Sequence, residues 1–483
     1  MTRARSFAAV SKLSLALVLG IYFSATPTRA SAATPTITPL FSFSCPAQQF
    51  TTCPQGYRPN ALIQASDGNF YGAAQLTTSG TSDPQGGTLF KITPAGQFTL
   101  LFTFAPNQQG NYLNGDQPAS GLVEGNDGFL YGTTIFGGQS NEGVLFRIAK
   151  TGQNFQVLHS FCSASNCADG SFPGGLVLGH DGQIYGTAVA GGSTGYGTIF
   201  RFIPSTGLTT LFTFNGTTQG ASPGGMTQGT DGNFYGVAGF RVFRFGLSGS
   251  FSIINSFPFG EFVPPTADSG LLQASNGKLY GGISTYAINQ VQFYSLGTSG
   301  SGFDPFPEIG TLAVDFSVST PIQASDGLLW ATFTSRSESN GTATAFLPTT
   351  GAVVHDIPFN GTNGATPTAG LVQGADGKLY GTASEGGKDG VGTVWVINGG
   401  LPAPKASIAA FGAGSAAPGA TVLIRGDHFI GAIAVEFNGV KATFKVLNRN
   451  FISAVVPAGA TTGTISVTNS GGTTTSNNSF TVE

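Results

Sequence analysis

Few residues in this chain are of the kinds that do chemistry, and fewer stand at useful spacings. Its 483 residues include four His, four Cys, 20 Lys or Arg and 23 Asp or Glu. His159, His180, His355 and His428 fall in different contexts, without metal-ligand or base–nucleophile spacing. No metal centre, cofactor or catalytic residue is therefore expected. Gly191-Gly192-Ser193-Thr194-Gly195 matches the hydrolase nucleophile pattern, but that motif needs a strand-to-helix elbow and here lies in a Gly-rich β loop. Arg425-Gly426-Asp427 spells a cell-adhesion tripeptide at what reads as a strand end. Cys45 and Cys53 are eight apart, and Cys162 and Cys167 five apart. In an oxidising compartment the simplest reading is two local disulfides, with a metal site as the rival.

What remains is a scatter of polar and aromatic residues in long loops: Tyr112, Asn114, Asp116, Glu142, Asp169, Tyr196, Glu385, Lys388 and Asp389. Aromatic rings with amides and carboxylates suit polar ligands such as glycans. A glycan-active enzyme, a lyase or glycosidase, is the alternative. It would need paired carboxylates or a Tyr/His couple converging at one place.

The elements that hold these loops repeat. Asp-Gly or Asn-Gly stands at Asp67, Asp127, Asp181, Asp231, Asn276, Asp326 and Asp376, and six of the seven are followed by Tyr-Gly. Trp330-Ala331 replaces that pair in the sixth copy. An Asp-Gly step between alternating runs signals a hairpin with a two-residue primed turn, which needs positive φ at both central positions. The repeated Asp is expected to fix its own turn, and the Tyr to pack in the core or between repeats. Each unit of about 50 residues holds four strand signals, the content of a propeller blade. The seventh unit stops after its third strand, Thr393–Ile397, while Leu40–Phe43 is an orphan of the fourth-strand type. If the orphan joins the seventh sheet, the ring closes with seven blades and covers an edge. Tight turns then share one face. The loops Gln75–Gly87, Ala105–Ala119, Cys162–Pro173 and Ser384–Gly392 share the other, where a rigid scaffold would present a site.

The ends differ from the repeats. Arg3, Arg5 and Lys12 precede an apolar run, Leu13 to Ala25, and Ala30-Ser31-Ala32 offers a cleavage site, so residues 1–32 read as a signal peptide. An uncleaved anchor is the rival. Removing them takes away Arg3, Arg5, Lys12 and Arg29 but no acid, leaving 16 basic and 23 acidic residues, net −7. That balance argues against nucleic acid as a partner. Residues 401–405 read as a Pro-rich linker and residues 406–483 as a small β-sandwich of short alternating strands.

Both parts resemble known families. Gly370-Leu371-Val372-Gln373-Gly374-Ala375-Asp376-Gly377-Lys378-Leu379-Tyr380-Gly381-Thr382, the Gly-Gly spacers before Gly143, Gly197 and Gly392, and the loop from Phe161-Cys162 to Pro173 resemble the bacterial tandem repeat called GloVer, over roughly residues 38–400. Gly426-Asp427-His428-Phe429, Val435–Val440 and Val456–Ala460 are similar to an IPT/TIG immunoglobulin-like domain. That resemblance implies a spacer or adhesion module without catalytic residues. The expected protein is all-β: a signal peptide (1–32), a seven-bladed propeller (33–400) and an Ig-like sandwich (406–483). It would be a secreted or cell-surface binding protein, a monomer, with a polysaccharide or cell-surface protein as partner.

Overall fold

A computed structural model describes residues 35–45, 52–77, 85–119, 121–257, 262–263, 270–285, 290–306, 316–335 and 340–483. The expected signal peptide, residues 1–32, lies outside these. The chain is all-β: seven antiparallel sheets of the repeats are followed by two sheets of the C-terminal part. Numbered by their Asp-Gly turns, the seven sheets run from inner to outer strand in chain order, and in four of them the inner strand is split in two. The seventh sheet takes its fourth strand from the other end of the chain. Ile37–Ser42 pairs antiparallel with Thr393–Ile397, Ile37 opposite Ile397 and Ser42 opposite Thr393.

The turns are built differently from the expected primed type. Ala65 N donates to Asn69 O, and Gly68 N to Ala65 O. Gly68 has φ 80°, whereas Asp67 is absent from the positive-φ residues. The same bonds and signs recur at Gly125–Phe129, Gly229–Asn233 and Gly374–Lys378. Each is thus a three-residue loop, a type I turn followed by a left-handed glycine. Asp suits this loop because its carboxylate accepts the N–H two residues on: Asn69 N reaches Asp67 Oδ1 at 3.2 Å.

The other carboxylate oxygen explains the repeated tyrosine. Tyr71, Tyr131, Tyr185, Tyr235 and Tyr380 donate their hydroxyls to the Asp of their own turn at 2.6–2.8 Å. Trp330 in the sixth sheet donates Nε1 to Asp326 at 3.3 Å, so the substitution keeps the bond. Burial, helped by the Asp, pushes the Tyr235 phenol up to about 12. The glycine after each tyrosine is a seat for a ring. It faces an aromatic residue of the third strand: Gly132 opposite Phe146, Gly186 opposite Phe200, Gly381 opposite Trp395. A Cβ at Gly186 would stand 2.4 Å from Phe200 Cζ. In the sixth sheet Ala331 has a side chain, and its partner is Thr344.

Neighbouring sheets are joined by a second repeated device. Gln228, Gln273, Gln323, Gln373 and Gln64 each accept, through Oε1, a backbone N–H from the turn of the preceding sheet: His180, Thr230, Ser275, Ser325 and Ala375. Glu124 does the same for Ser66 N at 2.7 Å and pairs with Lys150 at 2.6 Å. Between the second and third sheets the corresponding residue is Leu178, and Thr133 Oγ1 to Gly174 O holds the joint. The bond from Ala375 to Gln64 links the seventh sheet back to the first. Inner-strand residues of all seven sheets line one cavity of about 350 Å³, among them Ala61, Gly121, Gly175, Gly225, Gly270, Thr320 and Gly370. Small residues are needed there, since a Cβ at Gly121 would stand 3.2 Å from Ala61 Cβ.

The C-terminal part packs two sheets around Val422, Ile424, Val435, Phe437, Ile465 and Phe480. It rests against the tight turns. Asn448 donates to Asn126 at 2.8 Å, Ser470 to Ala375 O at 2.8 Å, and Ser325 to Pro402 O at 2.6 Å. The Arg-Gly-Asp sequence is engaged internally, since Arg449 Nε binds Asp427 at 2.6 Å.

Two half-buried histidines mark this contact. Burial, then Arg449, lower His428 to about 4, against the pull of Asp427. Burial, then Arg425, lower His180 to about 4, against Asp181 and Asp231. Their ordinary value is 6.5, so the unfolded chain takes up these protons first as pH falls. Stability is fully present above about pH 6.5 and declines as pH falls toward about 4. The loss expected from His428 is on the order of 2 kcal/mol. Thermal melts at pH 7 and pH 4.5 should show it, and His428→Gln should flatten the dependence. An unaltered slope in that variant would refute the assignment.

Candidate functional site

The long loops meet at the ends of the inner strands, where the joints carry another recurring geometry. Arg58, Gln117, Phe172, Ser222 and Thr366 each precede a proline and have φ between 51° and 57°. A residue before proline favours extended backbone, so these five positions are strained. The unusual φ turns each N–H across the joint to a carbonyl of the preceding sheet: Val391, Gly86, Glu142, Tyr196 and Asn340. The proline then packs on a glycine. A Cβ at Gly143 would stand 2.6 Å from Pro173 Cδ, and one at Gly197 2.5 Å from Pro223 Cδ. Glu142, Tyr196 and Val391 thus occupy one equivalent position at different joints. The backbone there is constant and the side chain varies.

At the joint of the first and second sheets the loops enclose a cavity of about 520 Å³, lined by Gln85, Tyr112, Asp116, Gln117, Phe136, Gln139 and Asn141 among others. Of the sequence candidates, Tyr112 and Asp116 both line this cavity, and Asn114 is exposed on the same loop. Asp116 is buried and accepts Gly86 N at 2.6 Å, so its carboxylate braces the wall. Gln117, Phe136, Gln139 and Asn141 were not anticipated. The Gly137-Gly138 spacer was the available signal, because its backbone, with φ 84° and 79°, turns the 137–141 loop toward Tyr112. Gly138 N donates to Tyr112 O at 2.9 Å. The described lining carries no Lys, Arg or His.

The remaining candidates sit at other joints. Glu142 is half-buried, with Oε2 enclosed and unpartnered by protein groups, and burial pushes its carboxyl up. Asp169 ties down the disulfide loop, accepting Ser163 N at 3.0 Å, Ser163 Oγ at 2.8 Å and Ala164 N at 3.2 Å, with His159 Nε2 2.8 Å away. Burial opposes its ionisation, but these bonds outweigh it and hold the carboxyl below the usual range. Tyr196 is exposed at the joint of the third and fourth sheets. Glu385 accepts Thr366 Oγ1 at 3.0 Å within the seventh sheet, Asp389 accepts Cys45 N at 3.3 Å, and Lys388 is exposed beside it. The cysteines form the two local disulfides, Cys45–Cys53 and Cys162–Cys167. Among the described residues no three His, Cys, Asp or Glu cluster as metal ligands.

Comparison with known proteins places both halves. The Gloeobacter/Verrucomicrobia repeat model matches residues 58–242, and the IPT/TIG domain model matches residues 407–482. No curated protein matches the chain. A fungal alcohol oxidase of the AA5 family, solved in complex with copper, aligns over 89% of this chain and 98% of its own at 12% identity and TM-score 0.47. The extracellular domain of a hybrid two-component system from B. thetaiotaomicron aligns over 90% of this chain and 58% of its own at 10% identity and TM-score 0.48. The chain thus carries a match to the Gloeobacter/Verrucomicrobia repeat followed by a C-terminal match to the IPT/TIG domain.

Proposed function

We propose that the chain is a secreted or cell-surface, non-enzymatic binding protein whose propeller takes a glycan on its long-loop face. In this reading residues 1–32 direct export, residues 33–400 are a closed seven-bladed propeller, residues 401–405 a linker, and residues 406–483 a spacer or adhesion module. The circuit of Gln and Glu bonds from sheet to sheet supports closure. The two disulfides support an oxidising compartment.

The observation that carries the ligand assignment is the chemistry of the 520 Å³ cavity. Tyr112 and Phe136 supply ring surfaces, and Gln85, Gln117, Gln139 and Asn141 supply amides that both donate and accept. Amides match the mixed donor and acceptor character of sugar hydroxyls, and rings match the C–H faces of pyranoses. With no basic side chain among the described residues of the lining, neutral polyhydroxylated ligands are favoured over anions. Two of the carboxylates that a glycosidase would pair, Asp116 and Asp169, are instead engaged in hydrogen bonds that brace their loops. A glycan array of the mature chain should identify the sugar, and calorimetry should follow. Tyr112→Ala is expected to weaken binding roughly tenfold, the equivalent of about 1.4 kcal/mol, with the melting temperature retained. An array on which no glycan binds would defeat the proposal.

A further inference from the structure

Tyr196 differs from the six tyrosines that follow the hairpin turns and from Tyr294. Tyr71, Tyr131, Tyr185, Tyr235, Tyr280, Tyr294 and Tyr380 are at most 1% exposed, whereas Tyr196 is 47% exposed. Its ring is nevertheless held. A Cβ at Gly216 would stand 2.6 Å from Tyr196 Cζ, 2.7 Å from Cδ1 and 2.7 Å from Cδ2. Contacts that close to atoms around the ring mean that it lies flat on the glycine, one face covered and the other toward solvent. Gly216 has φ 75°, which a side chain tolerates poorly, so position and seat both call for glycine.

Both sides of this seat are braced. Asn215 Oδ1 accepts three consecutive backbone N–H groups, from Thr217 at 3.1 Å, Thr218 at 3.0 Å and Gln219 at 2.9 Å. Gly216 N donates to Gly220 O at 3.0 Å. Thr194 Oγ1 donates to Phe214 O, and Tyr196 O accepts Ser222 N at 3.1 Å. The loop that carries the ring is fixed by Gly197 N to Gly191 O at 3.0 Å. An aromatic face presented to water on a backbone this constrained loses little freedom on binding.

We infer that Tyr196 is a stacking platform for one sugar ring, a second contact on the long-loop face separate from the Tyr112 cavity. The inference rests on the glycan reading of that face. The chemistry is a flat π-surface against the apolar C–H face of a pyranose, so the ring matters and its hydroxyl does not. Among the described residues, the equivalent positions Glu142, Val391, Gly86 and Asn340 present no ring.

The test is affinity electrophoresis of the full mature chain in native gels cast with soluble xyloglucan, mixed-linkage β-glucan, galactomannan or arabinogalactan. Wild type is expected to be retarded by at least one of them. In that gel Tyr196→Ala should bind roughly tenfold more weakly, Tyr196→Phe should match wild type, and Gly216→Ala, which lifts the ring from its seat, should be weakened with the tyrosine still present. Unchanged melting of Tyr196→Ala separates binding from folding. If Tyr112→Ala is weakened while Tyr196→Ala migrates as wild type, this inference is wrong and the glycan reading stands. If none of the polysaccharides retards wild type, the glycan reading falls and this inference with it.

Discussion

Deletion of residues 35–44 is expected to abolish cooperative unfolding of the repeat region and to drive the chain into aggregates. The strand Ile37–Ser42 is the fourth strand of the seventh sheet, and without it the Thr393–Ile397 edge is unpaired. That edge carries Val394 and Trp395, both fully buried in the intact protein. A hydrophobic strand edge freed in this way is a template for pairing with other chains. The segment also fills the core. Phe43 is fully buried and lies 5.3 Å from the Phe90 ring, while Phe41 stacks on Phe98 at 4.3 Å. Phe43→Ala alone should cost about 3–5 kcal/mol, a large part of the 5–15 kcal/mol typical of whole domains. Size-exclusion chromatography and denaturant titration would report the outcome. A monomeric deletion variant with the parent's unfolding midpoint would show that the sheets do not depend on this closure.

The pair Gly381 and Trp395 should show strong thermodynamic coupling. A Cβ at Gly381 would stand 2.3 Å from Trp395 Cζ2, and the indole is fully buried with nowhere to retreat. Gly381→Ala is therefore expected to destabilise by about 2–3 kcal/mol through overpacking. Trp395→Thr should cost about 3–5 kcal/mol through the cavity it leaves. The sixth sheet already contains the combination, Ala331 opposite Thr344. The double variant Gly381→Ala/Trp395→Thr should accordingly lose less than the sum of the two, by about 1–2 kcal/mol. Urea unfolding of the four proteins completes the cycle. Strict additivity would mean that the glycine is not a seat for the ring.

The repeat count, the hairpins and the spare N-terminal strand were legible because each is a local matter. Turn residues answer to φ, and strand runs answer to alternation and strand length. Even so, the turn type was misread. Asp-Gly serves a two-residue primed turn and a three-residue loop alike, and only the sign of φ at Asp67 and its equivalents separates them. The Asp–Tyr bond was hidden although its partners lie four residues apart, since nothing in the spacing says that the phenol bends back to the turn.

By itself the sequence determined the all-β class, the unit of four strands, the unfinished seventh unit and the two local disulfides, because hydrogen bonding, side-chain alternation and short loop closure are encoded within a few residues. Only the tertiary structure decided which loop residues meet. Tyr112, Asp116, Phe136 and Asn141 come from the connection into the second sheet and the far end of its second strand, and share a cavity because Asp116 pairs opposite Phe136 and Gly138 N binds Tyr112 O. The folded loops likewise made Asp169 a brace for its own loop and laid Tyr196 on Gly216. A joint between sheets depends on residues about 30 to 50 positions apart, and the fit of a proline to a glycine across that distance leaves no pattern in either stretch alone.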